Sequence, residues 1–196
     1  LYVSGAQQIL ANLIALAYML PMSLSLATAS LTAQAVGARD PALARRTGLN
    51  GIGLAALGAL LTGVILVTGR DAIVRTYTDE IQVAVIALAL LQIAPWFHFC
   101  DAMHCIGAYI LRAYKIALVP LILQITALTG LGLVGGWWLG YGPAAGALAP
   151  VARRLMPGAP VGAATMWIMA MFGLLLSALL LFAWYGRVLR QQARDA

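Results

Sequence analysis

Long apolar runs, separated by short polar or charged stretches, dominate the pattern along this chain. Five runs of 18 or more residues carry few charges, and each predicts a transmembrane helix, because a helix needs about 20 apolar residues to cross a bilayer. The predicted spans cover residues 6–36, 48–69, 81–111, 116–140 and 161–185. The pattern therefore predicts an all-α membrane protein with five transmembrane helices.

Proline and glycine positions refine this picture. The first and third runs are about 30 residues, longer than the bilayer requires, and Pro21 and Pro95 are candidate kinks within them because proline removes a backbone donor. Residues 37–47 predict a short amphipathic segment at the membrane interface, starting near Pro41. The loop 141–160 holds four prolines and is not expected to be helical throughout.

Composition agrees with a membrane location. Of the 196 residues, 63% are hydrophobic and 9% are charged, whereas soluble domains carry roughly 25% charged residues. A soluble enzyme domain is thereby excluded. The net charge of +6 would suggest a nucleic-acid partner in a soluble protein, but here the basic residues form short clusters between apolar runs. We expect membrane lipids around the chain and no nucleic acid.

The distribution of basic residues predicts the orientation. Eight lie in the loops on one side, namely Arg39, Arg45, Arg46, Arg112, Lys115, Arg187, Arg190 and Arg194. Four lie on the other side, namely Arg70, Arg75, Arg153 and Arg154. The positive-inside rule places the C-terminus in the cytoplasm and the N-terminus outside. With an odd number of spans and no initial methionine, we expect the chain to be a piece of a longer protein.

Small residues recur at intervals of four on two predicted helices. Gly51, Ala55, Ala59 and Gly63 form one ladder, and Gly132, Gly136 and Gly140 form another. Such ladders allow close approach of helices in lipid. We expect them to be packing surfaces.

Asp101 is the strongest candidate for chemistry, because it is the one acidic residue within the five predicted spans. A carboxylate at such depth costs about 2.5–3.5 kcal/mol on insertion scales, so it must be protonated, bind a cation or face a bundle interior. We interpret it as an ion- or proton-binding residue; the alternative is a structural partner of a neighbouring helix.

Two histidines lie close to Asp101 in sequence. At 100° per residue, Phe97 and Asp101 fall within a sector of about 60° on the third predicted helix, with His104 close by and His98 at the other edge of Asp101. These groups could in principle bind a transition metal, although residues of one helix seldom converge on one ion. The other interpretation is that His98 and His104 are neutral, hydrogen-bonded helix residues.

The sequence contains no nucleotide-binding loop and no Gly-x-Ser-x-Gly, His-Glu-x-x-His or Cys-x-x-Cys motif. We therefore predict that the protein is not an enzyme and needs no cofactor. Any pumping would draw on an ion gradient or a separate subunit.

Several segments together resemble one transporter family. Residues 6–37 contain Ala-Gln-Gln-Ile-Leu-Ala-Asn-Leu and Tyr-Met-Leu-Pro-Met-Ser-Leu, and Ala-Arg-Asp-Pro-Ala-Leu-Ala-Arg-Arg follows at 38–46. Tyr-Thr-Asp-Glu at 77–80, Phe-Cys-Asp-Ala-Met at 99–103 and Leu-Arg-Ala-Tyr-Lys at 111–115 keep the same order. Over nearly its whole length the chain resembles multidrug and toxic-compound extrusion (MATE) transporters of the NorM type.

This resemblance implies a fold and an activity. Such transporters have twelve helices in two six-helix lobes and export amphiphilic or cationic compounds in exchange for sodium ions or protons. The chain would form most of the C-terminal lobe in a bacterial inner membrane, and the N-terminal lobe of the same protein would be its missing partner. Asp101 falls on the family's cation-binding acid of the tenth helix, whereas Phe97 stands where a tyrosine is often found.

Three alternatives remain open from the sequence. The chain could belong to a related lipid-linked oligosaccharide flippase, for which a dense basic lining would be expected. It could be a membrane-embedded metalloenzyme that uses His98, Asp101 and His104. It could also be a remnant that transports nothing by itself.

Overall fold

The computed structural model describes residues 1–195, and these residues contain helices and no strands. The helices are α1 (Tyr2–Gly37), α2 (Pro41–Tyr77), α3 (Ile81–Leu90), α4 (Ala94–Ala113), α5 (Leu118–Gln124), α6 (Gly135–Gly140), α7 (Ala149–Leu155) and α8 (Val161–Asp195). A 3₁₀ turn at Leu91–Ile93 joins α3 to α4, and a π-helical stretch at Ile125–Val134 joins α5 to α6. The all-α prediction is confirmed.

Within residues 1–195, five helical segments are long and apolar enough to cross a membrane, as the sequence predicts. The third span consists of α3, the 3₁₀ turn and α4, and the fourth consists of α5, the π-helical stretch and α6. The chain is therefore an integral membrane protein. The loop between the fourth and fifth spans is helical only in the seven residues of α7, in agreement with its proline content.

The prediction of a short amphipathic segment at residues 37–47 was wrong. The chain turns within Ala38–Asp40, and α2 begins at Pro41 and continues without interruption into the membrane span. The Asp40 side chain accepts a hydrogen bond from the Leu43 N–H at 2.9 Å, and Pro41 occupies the first turn. This cap and the helix-forming residues that follow start one long helix, so no separate segment forms.

The two prolines proposed as kinks lie in different settings. Helix α1 continues through Pro21, where the Ser25 hydroxyl donates to the Pro21 carbonyl at 2.6 Å. Pro95 lies in the first turn of α4, directly after the 3₁₀ turn. Because Pro95 has no N–H to donate to the preceding turn, the α-helical pattern is interrupted there. A hinge motion at either residue stays a prediction.

Helix α4 lies at the centre of the bundle and packs against α1, α2 and α8, whereas the fourth span packs mainly against α8. The predicted small-residue ladders lie where neighbouring helices of the bundle meet. Gly51 of α2 meets Thr28 of α1, and a Cβ atom on Gly63 would lie 3.5 Å from Pro95. Close approach of small residues provides the dispersion contacts that hold helices together in lipid.

Candidate functional site

Asp101 lies on α4 between two contacts that tie this helix to its neighbours. The Tyr18 hydroxyl of α1 donates a hydrogen bond to Cys105 Sγ at 3.3 Å, and His104 Nδ1 lies 2.9 Å from Ser177 Oγ of α8. His104 and Cys105 follow Asp101 by three and four residues, so all three share one side of the helix. We call this side, comprising Phe97, Asp101, His104 and Cys105, the Asp101 face; it is directed between α1 and α8.

The Asp101 carboxylate is half-buried, and within residues 1–195 no group donates a hydrogen bond or forms an ion pair with it. The nearest basic residue on its side of α4 is Arg112, about three turns away at the helix end, where its guanidinium lies over the Tyr109 ring at 5.1 Å. An unpaired carboxylate inside a membrane span is costly. Binding a proton or a cation would remove that cost.

His104 is almost fully buried, 7% exposed, and one of its two ring nitrogens has a partner. Its Nδ1 pairs with the Ser177 hydroxyl, while Nε2 makes no hydrogen bond in the described part of the chain. The prediction that His104 lies on the side of Asp101 agrees with this geometry. The bond to Ser177 fixes the orientation of the ring and joins α4 to α8.

His98 has a different environment. Its ring is fully buried, and neither nitrogen has a hydrogen-bond partner among the described residues. The interpretation of His98 as a hydrogen-bonded helix residue therefore has no support from the described contacts. Within residues 1–195, moreover, no three His, Cys, Asp or Glu side chains lie close enough to hold a metal ion. His98, Asp101 and His104 are thus not grouped as metal ligands in the described part of the chain.

Phe97 occupies the position one turn before Asp101. Its ring is half-buried and meets the Trp167 ring of α8 edge-on, with the centroids 5.1 Å apart and the planes at 74°. Aromatic pairs prefer this arrangement. Phe97 therefore gives the Asp101 face an apolar border and no additional oxygen ligand.

Two residues with contacts at this face, Tyr18 and Ser177, are not among the candidates predicted from the sequence. Ser177 is an isolated hydroxyl in an apolar part of α8, and an isolated polar residue in a span often has a partner on another helix. Tyr18 is likewise a hydroxyl-bearing residue among apolar residues of α1, one turn before Pro21. Neither signal identifies the partner, because the packing of distant helices decides it.

Polar side chains also lie on the exposed side of α1. They are Gln8, Asn12, Ser23, Ser30 and Gln34. Gln8 donates to Asn12 at 3.1 Å, and Ser23 donates to the Met19 carbonyl at 2.8 Å. Exposed polar groups are unfavourable against lipid tails. This side of α1 is thus suited to a neighbouring protein surface or a water-filled space.

Comparison with known proteins places these features in a family. The MatE family model matches residues 3–138. The chain is 35% identical to "Probable multidrug resistance protein NorM" of Aromatoleum aromaticum over 137 residues, 70% of this chain and 30% of that relative. It is 33% identical to a protein of the same name from Xylella fastidiosa (strain Temecula1) over 188 residues, 96% of this chain and 36% of that relative.

A third relative, "Multidrug resistance protein NorM" of Burkholderia vietnamiensis, is 31% identical over 148 residues, 73% of this chain and 32% of the relative. The chain thus spans about a third of the length of the curated relatives it matches. The family model covers more than half of the chain, and the matched residues include the Asp101 face. The chain belongs to the MatE family of transporters, as a partial sequence of the NorM type.

Proposed function

We propose that this chain is most of the C-terminal lobe of a transporter that exports drugs and other organic cations in exchange for sodium ions or protons. The observation that carries the proposal is the unpaired carboxylate of Asp101 on the central helix α4. The proposed substrates are cationic or amphiphilic compounds, and two of the relatives are named probable multidrug resistance proteins. No enzymatic step and no cofactor is needed for this activity.

Asp101 is the site of the coupling cation in this proposal. When the site is empty, the carboxylate is charged and unpaired; when a proton or sodium ion binds, the charge is neutralised in place. Phe97, His98 and His104 are its neighbours on α4, and the ties from Cys105 and His104 lead to α1 and α8. A change in charge at Asp101 can therefore bias the positions of two adjacent helices.

Movement of the lobe completes the proposed cycle. Occupation of Asp101 from outside shifts the helices of the lobe, with bending at Pro21 and Pro95, and the central cavity opens to one side at a time. The polar side of α1 contributes to the cavity wall. The N-terminal lobe of the same protein supplies the opposite wall, so the fragment requires that lobe for transport.

The proposed location is the bacterial inner membrane, with the N-terminus of this chain outside and the C-terminus in the cytoplasm. The excess of basic residues in the loops between spans one and two and between spans three and four supports this orientation, since these loops face the same side. Membrane lipids surround the bundle, and we propose no nucleic-acid partner.

The alternatives receive less support. A lipid-linked oligosaccharide flippase would need a basic cavity lining, and the five predicted spans contain no Lys or Arg. A metalloenzyme would need convergent ligands, which the described residues do not provide. A non-transporting remnant is distinguished by the experiment below.

The test is Asp101→Asn in the full-length protein, reconstituted in vesicles with a fluorescent organic cation as substrate. We expect at least about a tenfold loss of gradient-driven efflux, because the amide has a similar shape but cannot bind a proton or neutralise a cation. Asp71→Asn is the matched control, since Asp71 is exposed and, within the described residues, pairs only with the adjacent Arg70 at 3.6 Å. Wild-type efflux by Asp101→Asn, at equal amounts in the membrane, would contradict the proposal, and absence of efflux in the unmodified protein would favour the remnant.

A further inference from the structure

The hydrogen bond between His104 and Ser177 has a specific consequence for the ring of His104. Because Nδ1 is held at 2.9 Å from the Ser177 hydroxyl, the second nitrogen, Nε2, is fixed in position as well. In the tautomer whose Nδ1–H donates to Ser177, Nε2 carries a free lone pair. His98 lacks such an anchor, since neither of its nitrogens has a partner in the described part.

His104 lies within reach of Asp101. Three residues along an α-helix correspond to a rise of about 4.5 Å and a rotation that keeps both side chains on one side, with Cβ atoms about 5–6 Å apart. Ser177 holds the ring from the α8 side, and Tyr18 approaches the same side from α1 through Cys105. An imidazole and a carboxylate therefore lie one turn apart between the same two helices.

The ligand atoms that this chain contributes at the Asp101 face are suited to a proton. Hard cations prefer several oxygen ligands. Among the described residues, the side-chain oxygen atoms at this face are those of the Asp101 carboxylate and of Tyr18, which approaches from α1. The other groups are an imidazole nitrogen, a thiol and the phenyl ring of Phe97. The Ser177 hydroxyl is already used by His104. A proton needs only one basic atom at a time, and this face provides two kinds.

Few charged residues lie near Asp101 and His104. On α4 the other charged residue on this side is Arg112. The titratable neighbours are Tyr18 of α1 and Cys100, Cys105 and Tyr109 of α4. The packed parts of α1, α2 and α8, residues 2–36, 47–69 and 161–186, contain no Asp, Glu, Lys or Arg. The charged residues of its own helix that bear on proton binding at His104 are thus Asp101 and Arg112.

We propose that His104, positioned by Ser177, is the second proton-binding group of the coupling site, so that protons rather than sodium ions drive transport. This inference rests on the proposed function of Asp101. Uptake of the proton forms one new N–H bond at Nε2, with the proton taken from water outside. Its release to the cytoplasmic side returns the ring to its neutral form.

The test uses the full-length protein in vesicles, with a pH gradient alone or a sodium gradient alone. His104→Asn keeps an amide that can bond to Ser177 but cannot be protonated, and Ser177→Ala keeps the ring but removes its anchor. We expect His104→Asn to lose at least about tenfold of the pH-driven rate. Ser177→Ala should lower the pH-driven transport rate and shift the midpoint of its pH profile. Thr126→Val is the control, because its hydroxyl bonds only to carbonyls of its own span.

The outcomes separate this inference from the proposed function. Transport driven by sodium but not by pH, or a His104→Asn variant with the wild-type rate and pH profile, would overturn the role of His104 while leaving Asp101 as the cation site. Wild-type efflux by Asp101→Asn would overturn both. If His104→Asn does not reach the membrane, the pH profile of Ser177→Ala is the test of the role of His104. An unchanged pH profile in Ser177→Ala would refute the inference.

Discussion

The third and fourth spans are equally apolar by mean hydropathy, yet they have opposite places in the bundle. The third span is central, since its helix α4 contacts α1, α2 and α8 and carries Asp101 and both histidines. The fourth span lies at the edge, packs mainly against α8 and has large exposed apolar side chains. Equal hydropathy thus predicts that both cross the membrane but not which of them carries polar groups inward.

The two spans also depart from the regular α-helix in different ways. The third is interrupted by a 3₁₀ turn before Pro95, where a backbone donor is missing. The fourth widens into ten π-helical residues, where the turns bring the Ala127 carbonyl and Gly132 against Gly173 of α8. The first irregularity follows from one residue type, whereas the second accompanies a contact between helices.

The largest effect should come from Gly173→Leu, which breaks the only extensive contact of the fourth span within the described bundle. A Cβ atom on Gly173 would lie 2.7 Å from the Ala127 carbonyl oxygen, and 3.2 Å from Gly132 Cα, so two backbones must separate. We expect a loss of about 3 kcal/mol in the free energy of unfolding. Unfolding in bicelles measures it.

The control for that variant is Gly130→Leu, on the same π-helical stretch. A Cβ atom on Gly130 would have no neighbour within 4 Å, so we expect stability close to the wild type. Equal losses in the two variants would mean that the helix itself, and not its contact with α8, is sensitive to the larger side chain.

A medium effect is expected for Ile106→Ala in the third span. Ile106 is fully buried in the cluster that joins α4 to α2 and α8. The variant leaves a cavity and loses dispersion contacts, at a cost of about 2 kcal/mol in the free energy of unfolding. Ile125→Ala in the fourth span is the matched comparison, because Ile125 is 54% exposed; its effect should stay within about 0.5 kcal/mol. Similar losses at both positions would show that the two spans do not differ in packing.

The smallest effect is expected for the prolines that begin α4 and α5. Pro95→Ala restores an N–H that can bond to Leu91, so the third span should become one continuous helix, with a gain of about 1 kcal/mol and slower amide exchange near residue 95. Pro120→Ala lies in the first turn of α5, where the N–H has no partner in the helix, and should change neither quantity. Unchanged exchange in Pro95→Ala would show that packing, rather than proline, imposes the 3₁₀ turn.

Much of the fold could be predicted from the sequence because it depends on local properties. The number of spans follows from apolar length, and the first helical turn at Pro41 follows from the fixed geometry of proline. The prediction of a short segment at 37–47 was wrong because the Asp40 cap starts a helix there. The Ala, Leu and Arg residues that follow continue this helix into the membrane span. The π-helical stretch had no sequence signal, since its spacing is not reflected in residue types.

The candidate site was predictable only in part. The sequence identifies Asp101 as the acidic residue within a span and places His104 on its side through helical periodicity alone. It does not distinguish His104, which is tied to Ser177, from His98, whose nitrogens have no partner in the described part. It also does not reveal that Tyr18 reaches Cys105.

The sequence by itself determined the membrane class, the five spans, the family and the acidic residue within the third span. These depend on hydrophobic transfer, motif order and the period of one helix, all of which act along the chain. The tertiary structure decided which span is central, which helices enclose Asp101 and which histidine is anchored. Those properties depend on side chains that are up to 87 residues apart in sequence, and only the packing of α1, α4 and α8 brings them together.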